Sequence, residues 1–168
     1  MKKGLLIFLV LITPTLTFAQ TENINLNLQL GEMKKYFLEE DYKNFSKYVY
    51  PKVIKMMGGL TNMIKKTKEA NDKLKNGGYT FTDMSYTNTT KILNKNGEMQ
   101  CSLIQLITMQ TPTGKVVAEN TLIAISKDKG LHWTFLDTSD KSKETMLKYF
   151  PNLHKDIEIR PITHKNIN

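Results

Sequence analysis

Between residues 97 and 137 the chain reads GEMQCSLIQLITMQTPTGKVVAENTLIAISKDKGLHWTFLD. Three runs of strand-forming side chains are separated by two short polar turns, the pattern of an antiparallel β-meander. In the first run Met99, Cys101, Leu103, Ile107 and Met109 share one face, and Ile104 and Leu106 the other. In the second, Val117, Ile123 and Ile125 stand opposite Ala118, Leu122 and Ala124, and in the third Trp133 and Phe135 lie on one side. A sheet wetted on one face needs apolar residues only on the other. Two long strands apolar on both faces therefore predict that part of the second face is covered, by helices, by a chain terminus or by another subunit.

The rest of the chain is read around that meander. Asn96-Gly97 is a strong hairpin signal joining residues 89–93 to the first run, and residues 79–86, rich in aromatic and β-branched side chains, form a further strand. Before residue 79 the period is helical. Leu26, Leu30, Met33 and Phe37 recur at helix spacing, against a competing alternation of Ile24, Leu26, Leu28 and Leu30. A helix over residues 25–39 is favoured, with residues 20–30 the most ambiguous part. Asp41 is placed to cap a short helix over residues 41–49, which Tyr50-Pro51 stops. Pro51 opens a further turn ended by Gly58-Gly59, and Thr61 is expected to cap a helix that runs to about Lys75. Beyond the meander a helix is expected over residues 139–150, an edge strand over 153–159 and a polar tail over 163–168. The fold class is α+β: N-terminal helices packed on a curved antiparallel meander, in one domain over residues 20–168.

Residues 1–19 read as a secretory signal peptide, with Lys2 and Lys3 first, an apolar stretch next, and Thr17-Phe18-Ala19 before a cut at Gln20. The expected location is periplasmic or secreted. Without that leader the chain has 22 basic and 16 acidic residues, a net charge of +6. The lysines are dispersed and Arg160 is the one arginine, so the charge is read as a solvated surface rather than a nucleic-acid site. A third reading is a weak contact with anionic surfaces through the lysine-rich helix over residues 62–75. Cys101 is the only cysteine and reads as a small buried hydrophobe on a strand. No spacing of histidine and cysteine suggests a metal site, and no cofactor is expected.

Helices followed by a curved meander is the element order of the nuclear transport factor 2-like superfamily. The chain resembles exported bacterial members of it through KKYFLEEDYKNFSKYVYPKV (residues 34–53), Gly58-Gly59 and the closing GLHWTFLD (residues 130–137). The resemblance implies a cone-like fold whose concave sheet face and helices enclose an apolar cavity. It carries over no catalytic residue.

Candidate pocket residues are Tyr48, Tyr50, Met56 and Met57 near the helix junction, faced by Met99, Cys101, Met109, Trp133 and Phe135 from the sheet. Methionine-rich walls adapt to apolar ligands and equally fill irregular cores. Asp41, Asp83 and Asp137 are the carboxylates nearest the aromatic positions, with capping or turn duty as their competing role. The expected function is an exported, non-enzymatic binding or interaction module, using an apolar cavity or a sheet-face homodimer contact. The alternative is a cavity enzyme of isomerase or dehydratase type acting on a small apolar substrate.

Overall fold

β3 (Glu98–Thr111) and β4 (Gly114–Ser126) pair antiparallel from Met99↔Ser126 to Thr111↔Gly114 and form the spine of the molecule. The computed structural model describes residues 16–138 and 141–167. Among them, six strands make one curved antiparallel sheet. β1 (Thr80–Thr87) and β2 (Leu93–Lys95) share the outer edge of β3, while β5 (Thr134–Asp137) and β6 (Thr163–Ile167) share that of β4. Asn96 and Gly97 take φ of 51° and 77° in the turn between β2 and β3, the left-handed geometry such a two-residue hairpin requires.

Helices precede the sheet. α1 (Leu16–Leu38) resolves the ambiguity of residues 20–30 in favour of helix. Leu26, Leu30 and Met33 are buried against Cys101, Leu103, Leu122, Ala124, Trp133 and Phe135, whereas Ile24 and Leu28 are 52% and 63% exposed. The side chains of Asn25 and Gln29, one turn apart, fix the helix on the turn between β4 and β5. Asn25 Nδ2 donates to Gly130 O (3.2 Å), Gln29 Nε2 to Leu131 O (2.9 Å), and Gln29 Oε1 accepts from Trp133 N (2.8 Å). The alternation that suggested a strand is thus the polar half of a helix–loop clamp. The reading of residues 1–15 as part of a leader lies outside the described residues.

α2 (Tyr42–Phe45) is capped by Asp41, whose carboxylate accepts from Asn44 N at 3.0 Å, and runs into a 3₁₀ turn over Ser46–Tyr48. α3 (Pro51–Met56) starts on its proline, pre-set to helical φ at a position whose N–H would have no helical partner. α4 (Leu60–Asn76) has Gly59 at its N-cap and no side-chain cap, so Thr61 lies inside the helix rather than capping it. Asn71, buried, donates to Tyr42 OH at 2.7 Å and ties α4 to α2.

The second sheet face is covered by the chain's own C-terminal part. α5 (Lys143–Tyr149), capped by Ser142, and the segment after it place Met146, Phe150, Leu153 and Ile157 on Ile123, Ile125 and Leu136. Residues 153–159 are therefore not the expected edge strand. Their backbone turns instead of extending: Leu153 N donates to Phe150 O at 2.9 Å and Ile157 N to His154 O at 3.0 Å, and both side chains are buried. Gln100, fully buried on β3, holds this segment: its Nε2 donates to Asn152 O (2.9 Å) and its Oε1 accepts from His154 N (2.7 Å). The expected polar tail is instead β6, paired with residues 115–119 of β4 beyond the reach of β5. Backbone pairing satisfies that edge without apolar side chains, so hydropathy gave no sign of it.

Candidate functional site

Leu26 and Leu30 of α1 close directly on the sheet, whereas Met33 and Phe37, farther along the same stripe, line a cavity of about 330 Å³ open on one side. Its sheet wall is Gln105 and Ile107 of β3, Leu122 of β4, and Phe135 and Asp137 of β5. Phe81 and Met84 of β1 form the flank, and Phe45, Tyr48, Val49 and Val53 the helical side. Met57 and Met63 complete the lining. The ring of Phe37 anchors the wall, 5.1 Å from the Phe81 ring and 5.3 Å from that of Phe45. Such tilted and edge-on pairs add about 0.5–1.5 kcal/mol each beyond burial, so this wall is stiff. Methionines 33, 57, 63 and 84 supply the deformable surface.

One polar row crosses this otherwise apolar concave face. Tyr86 of β1 pairs with Gln105 of β3, Gln105 pairs with Asn120 of β4, and Asn120 Nδ2 donates to Asp137 Oδ1 of β5 at 2.9 Å. Asn120 Oδ1 is buried without a hydrogen-bond partner, and the Tyr86 hydroxyl, also buried, lies beside the Gln105 amide without full hydrogen-bond geometry. Gln105, also buried, sends its Nε2 toward the Met84 sulfur at 3.7 Å, a weak acceptor. Burial pushes the Tyr86 phenol up to about 12, with the neighbouring Gln105 amide opposing the shift. Buried polar groups left short of partners carry a cost of about 1–3 kcal/mol each. Sequence patterning passed over this row because Gln105 and Asn120 interrupt an apolar face. The interruption was the signal: each is the one polar side chain within an apolar run on its side of the strand, Gln105 between Leu103 and Ile107, Asn120 between Ala118 and Leu122.

Of the candidate pocket residues, Tyr48, Met57 and Phe135 line the cavity. Met99, Cys101 and Trp133 share the concave face but lie in or against the core beneath α1, Trp133 Nε1 donating to Gly130 O at 3.1 Å. Met109 pairs with Phe81 and Val116 near the far end of the sheet, outside the lining. Tyr50 packs on the opposite face with its ring 6.1 Å from that of Phe150, and Met56 is 57% exposed. Cys101 is fully buried and its thiol is pushed up to about 12 by that burial.

Among the carboxylates, Asp137 alone reaches the cavity wall. Asp41 is held below the usual range by the backbone N–H and side-chain amide of Asn44, and Asp83 by the Lys34 ammonium 2.5 Å away. A general base needs the opposite shift, so these two are structural carboxylates. Ser126, Asp128 and His132 also meet, but not as a catalytic set. Ser126 Oγ donates to Asp128 Oδ1 (2.9 Å), and the imidazole Nδ1 lies on Asp128 Oδ2 (2.6 Å), so the hydroxyl has no imidazole to take its proton. Burial raises the Asp128 carboxyl, but bonds from His132 and Ser126 outweigh it and the net shift is downward. Among the described residues no three His, Cys, Asp or Glu side chains gather to hold a metal ion, and no helix is long and apolar enough to cross a membrane. On α4, Lys65 pairs with Glu69 and Lys68 with Asp72, and Lys75 reaches Glu40, which thins the free positive charge of that helix.

Comparison of the chain with family models, curated proteins and solved structures returns no match.

Proposed function

We propose that this chain is an exported, non-enzymatic binding module of nuclear transport factor 2-like type, taking a small apolar molecule between its helices and the concave sheet face. The observation that carries this is the cavity: about 330 Å³, within the size range of small-molecule sites, with a lining almost wholly aromatic, aliphatic or methionine. At about 30 Å³ per water-sized group it admits roughly ten non-hydrogen atoms. A sheet-face homodimer is less favoured, because the chain's own C-terminal segment occupies the second face. The enzyme reading has one supporting feature, Asp137 on the cavity wall, and is ruled in only if Asp137→Asn abolishes a measurable turnover.

Naphthalene, a rigid hydrocarbon of the right size, tests the binding reading. The protein lacking residues 1–19 is expected to bind it saturably in a fluorescence titration. Ile107→Trp, which fills the cavity, should weaken that binding about tenfold or more while the circular dichroism spectrum is retained. Absence of saturable binding, or binding indifferent to Ile107→Trp, counts against a cavity ligand. Export is tested separately, by the mass of the protein recovered from the medium or periplasm of a producing cell. A chain beginning at Gln20 is expected, and a chain retained in the cytoplasm with Met1 intact would overturn it. Cleavage there removes the first four residues of α1 and leaves Asn25, Leu26 and Gln29 to dock the helix.

A further inference from the structure

We propose that the cavity takes an apolar molecule bearing one ammonium group, with the apolar body inside and the ammonium at the rim against Asp137. This rests on the cavity-binding reading and names the chemical class of the occupant. The lining runs from a closed floor to an open rim. Met33, Met63, Met84 and Leu122 are buried, whereas Asp137 is exposed and so stands where the cavity meets water. Asp137 lies directly across from Leu122 in the β4–β5 pairing. Residues paired in this way share a sheet face, so its side chain leaves the concave side next to a floor residue. Asn120 Nδ2 donates to Asp137 Oδ1 at 2.9 Å and holds the carboxylate there. A carboxylate offers about four lone-pair sites, so this bond leaves it able to accept from a ligand N–H.

Charge selects the ligand. Among the described residues that line the cavity, Asp137 is the only one that is acidic or basic. Lys66, bonded through Nζ to Met57 O at 3.2 Å, borders the cavity without lining it. A ligand carboxylate or phosphate would meet a like charge at the rim and no cation in the lining. An ammonium meets its opposite there and keeps part of its water, which avoids the cost of burying a charge. A neutral hydroxyl would bond the same carboxylate without the charge–charge attraction.

The test is a fluorescence titration at pH 7 of the protein lacking residues 1–19, with four ligands on one ring system: naphthalene, 1-naphthylmethylamine, 1-naphthylmethanol and 1-naphthoate. The amine, like other alkyl amines, is protonated at that pH. It is expected to bind about threefold or more tighter than the alcohol, the gain of a partly exposed ion pair. It should bind about tenfold or more tighter than 1-naphthoate. The net charge of +6 favours an anion over the surface as a whole, so a preference for the amine reports the local carboxylate. Asp137→Asn should bring the amine and the alcohol to within about twofold of each other, and about 0.5 M sodium chloride should narrow their difference on the unaltered protein. If naphthalene binds but the amine is no tighter than the alcohol, or 1-naphthoate binds best, the ammonium assignment is wrong and the cavity reading survives. The same holds if the amine keeps its advantage in Asp137→Asn. If no member of the series binds, both are wrong. Should Asp137→Asn fail to fold, the order of the ligands on the unaltered protein and its response to salt decide the matter.

Discussion

A chain ended after Lys141 is expected not to fold cooperatively. It should bind a hydrophobic dye, lose its sharp urea transition and partition largely into aggregates. The missing part carries Met146, Phe150, Leu153 and Ile157, all buried on Ile123, Ile125 and Leu136. Burying a large apolar side chain stabilises by about 1.5–3 kcal/mol, so four of them supply roughly 6–12 kcal/mol. A domain of this size has a net stability of about 5–15 kcal/mol, so the loss is comparable with the whole. Truncation also strips Gln100 of its bonds to Asn152 and His154 and removes β6 from the edge of β4. A soluble truncated monomer with a sharp urea transition would show that the second face does not need this cover. Supplying residues 142–168 as a separate peptide should partly restore the transition, since the contacts it makes are those lost.

Alkaline pH should be the other large lever. Burial raises the Cys101 thiol and the Tyr86 phenol to about 12 in the folded protein, from 9.0 and 10.0. Tyr48 is raised too, by burial first and then by the Glu32 carboxylate that accepts its hydroxyl proton. For groups with a raised folded pKa, the unfolded chain releases protons first. The stabilising contribution is therefore complete below about pH 9 and is lost as pH rises from there toward 12. For Cys101 and Tyr86 together the loss approaches roughly 6 kcal/mol at the upper end, and about half of that midway. Tyr48, only partly buried and screened by water, adds to it in the same direction. The urea midpoint should be level from pH 7 to 8.5 and fall steeply by pH 10.5. Cys101→Ala should flatten the first part of that decline, and a thiol reagent at pH 8 should label the native protein only as fast as it unfolds. A midpoint unchanged at pH 10.5 would mean that these groups are reached by water.

The elements that the chain declares most openly are those whose signal is local. Period two in β3 and β4, the Asn96-Gly97 turn, Asp41 ahead of α2 and Pro51 opening α3 each depend on a few neighbouring residues. The need for a covered second face was legible as well, because Ile104, Ile123 and Ile125 have no use on a wet surface. What covers it was not, since Leu153 and Ile157 are four apart, a spacing that one face of a helix and one face of a strand share. The cavity was harder still. Its lining comes from α1 to α4 and four strands, and position along the concave face decides whether a side chain meets α1 or open space. Cys101 and Ile107 share that face and look alike in the sequence; the first is sealed under α1 and the second lines the cavity.

The clasp between Gln100 and residues 152–154 has a bearing on how the protein is made. Synthesis delivers the chain from its N-terminus at about 5–20 residues per second, and the β3–β4 hairpin can form as soon as it emerges. The Gln100 bonds join residues more than fifty positions apart, and the face beside them stays bare until residues 146–157 have emerged. A nascent chain on the ribosome therefore holds a partial sheet with an uncovered apolar back. Such a chain stays pliable and in need of a chaperone until Met146, Phe150, Leu153 and Ile157 have closed over the sheet.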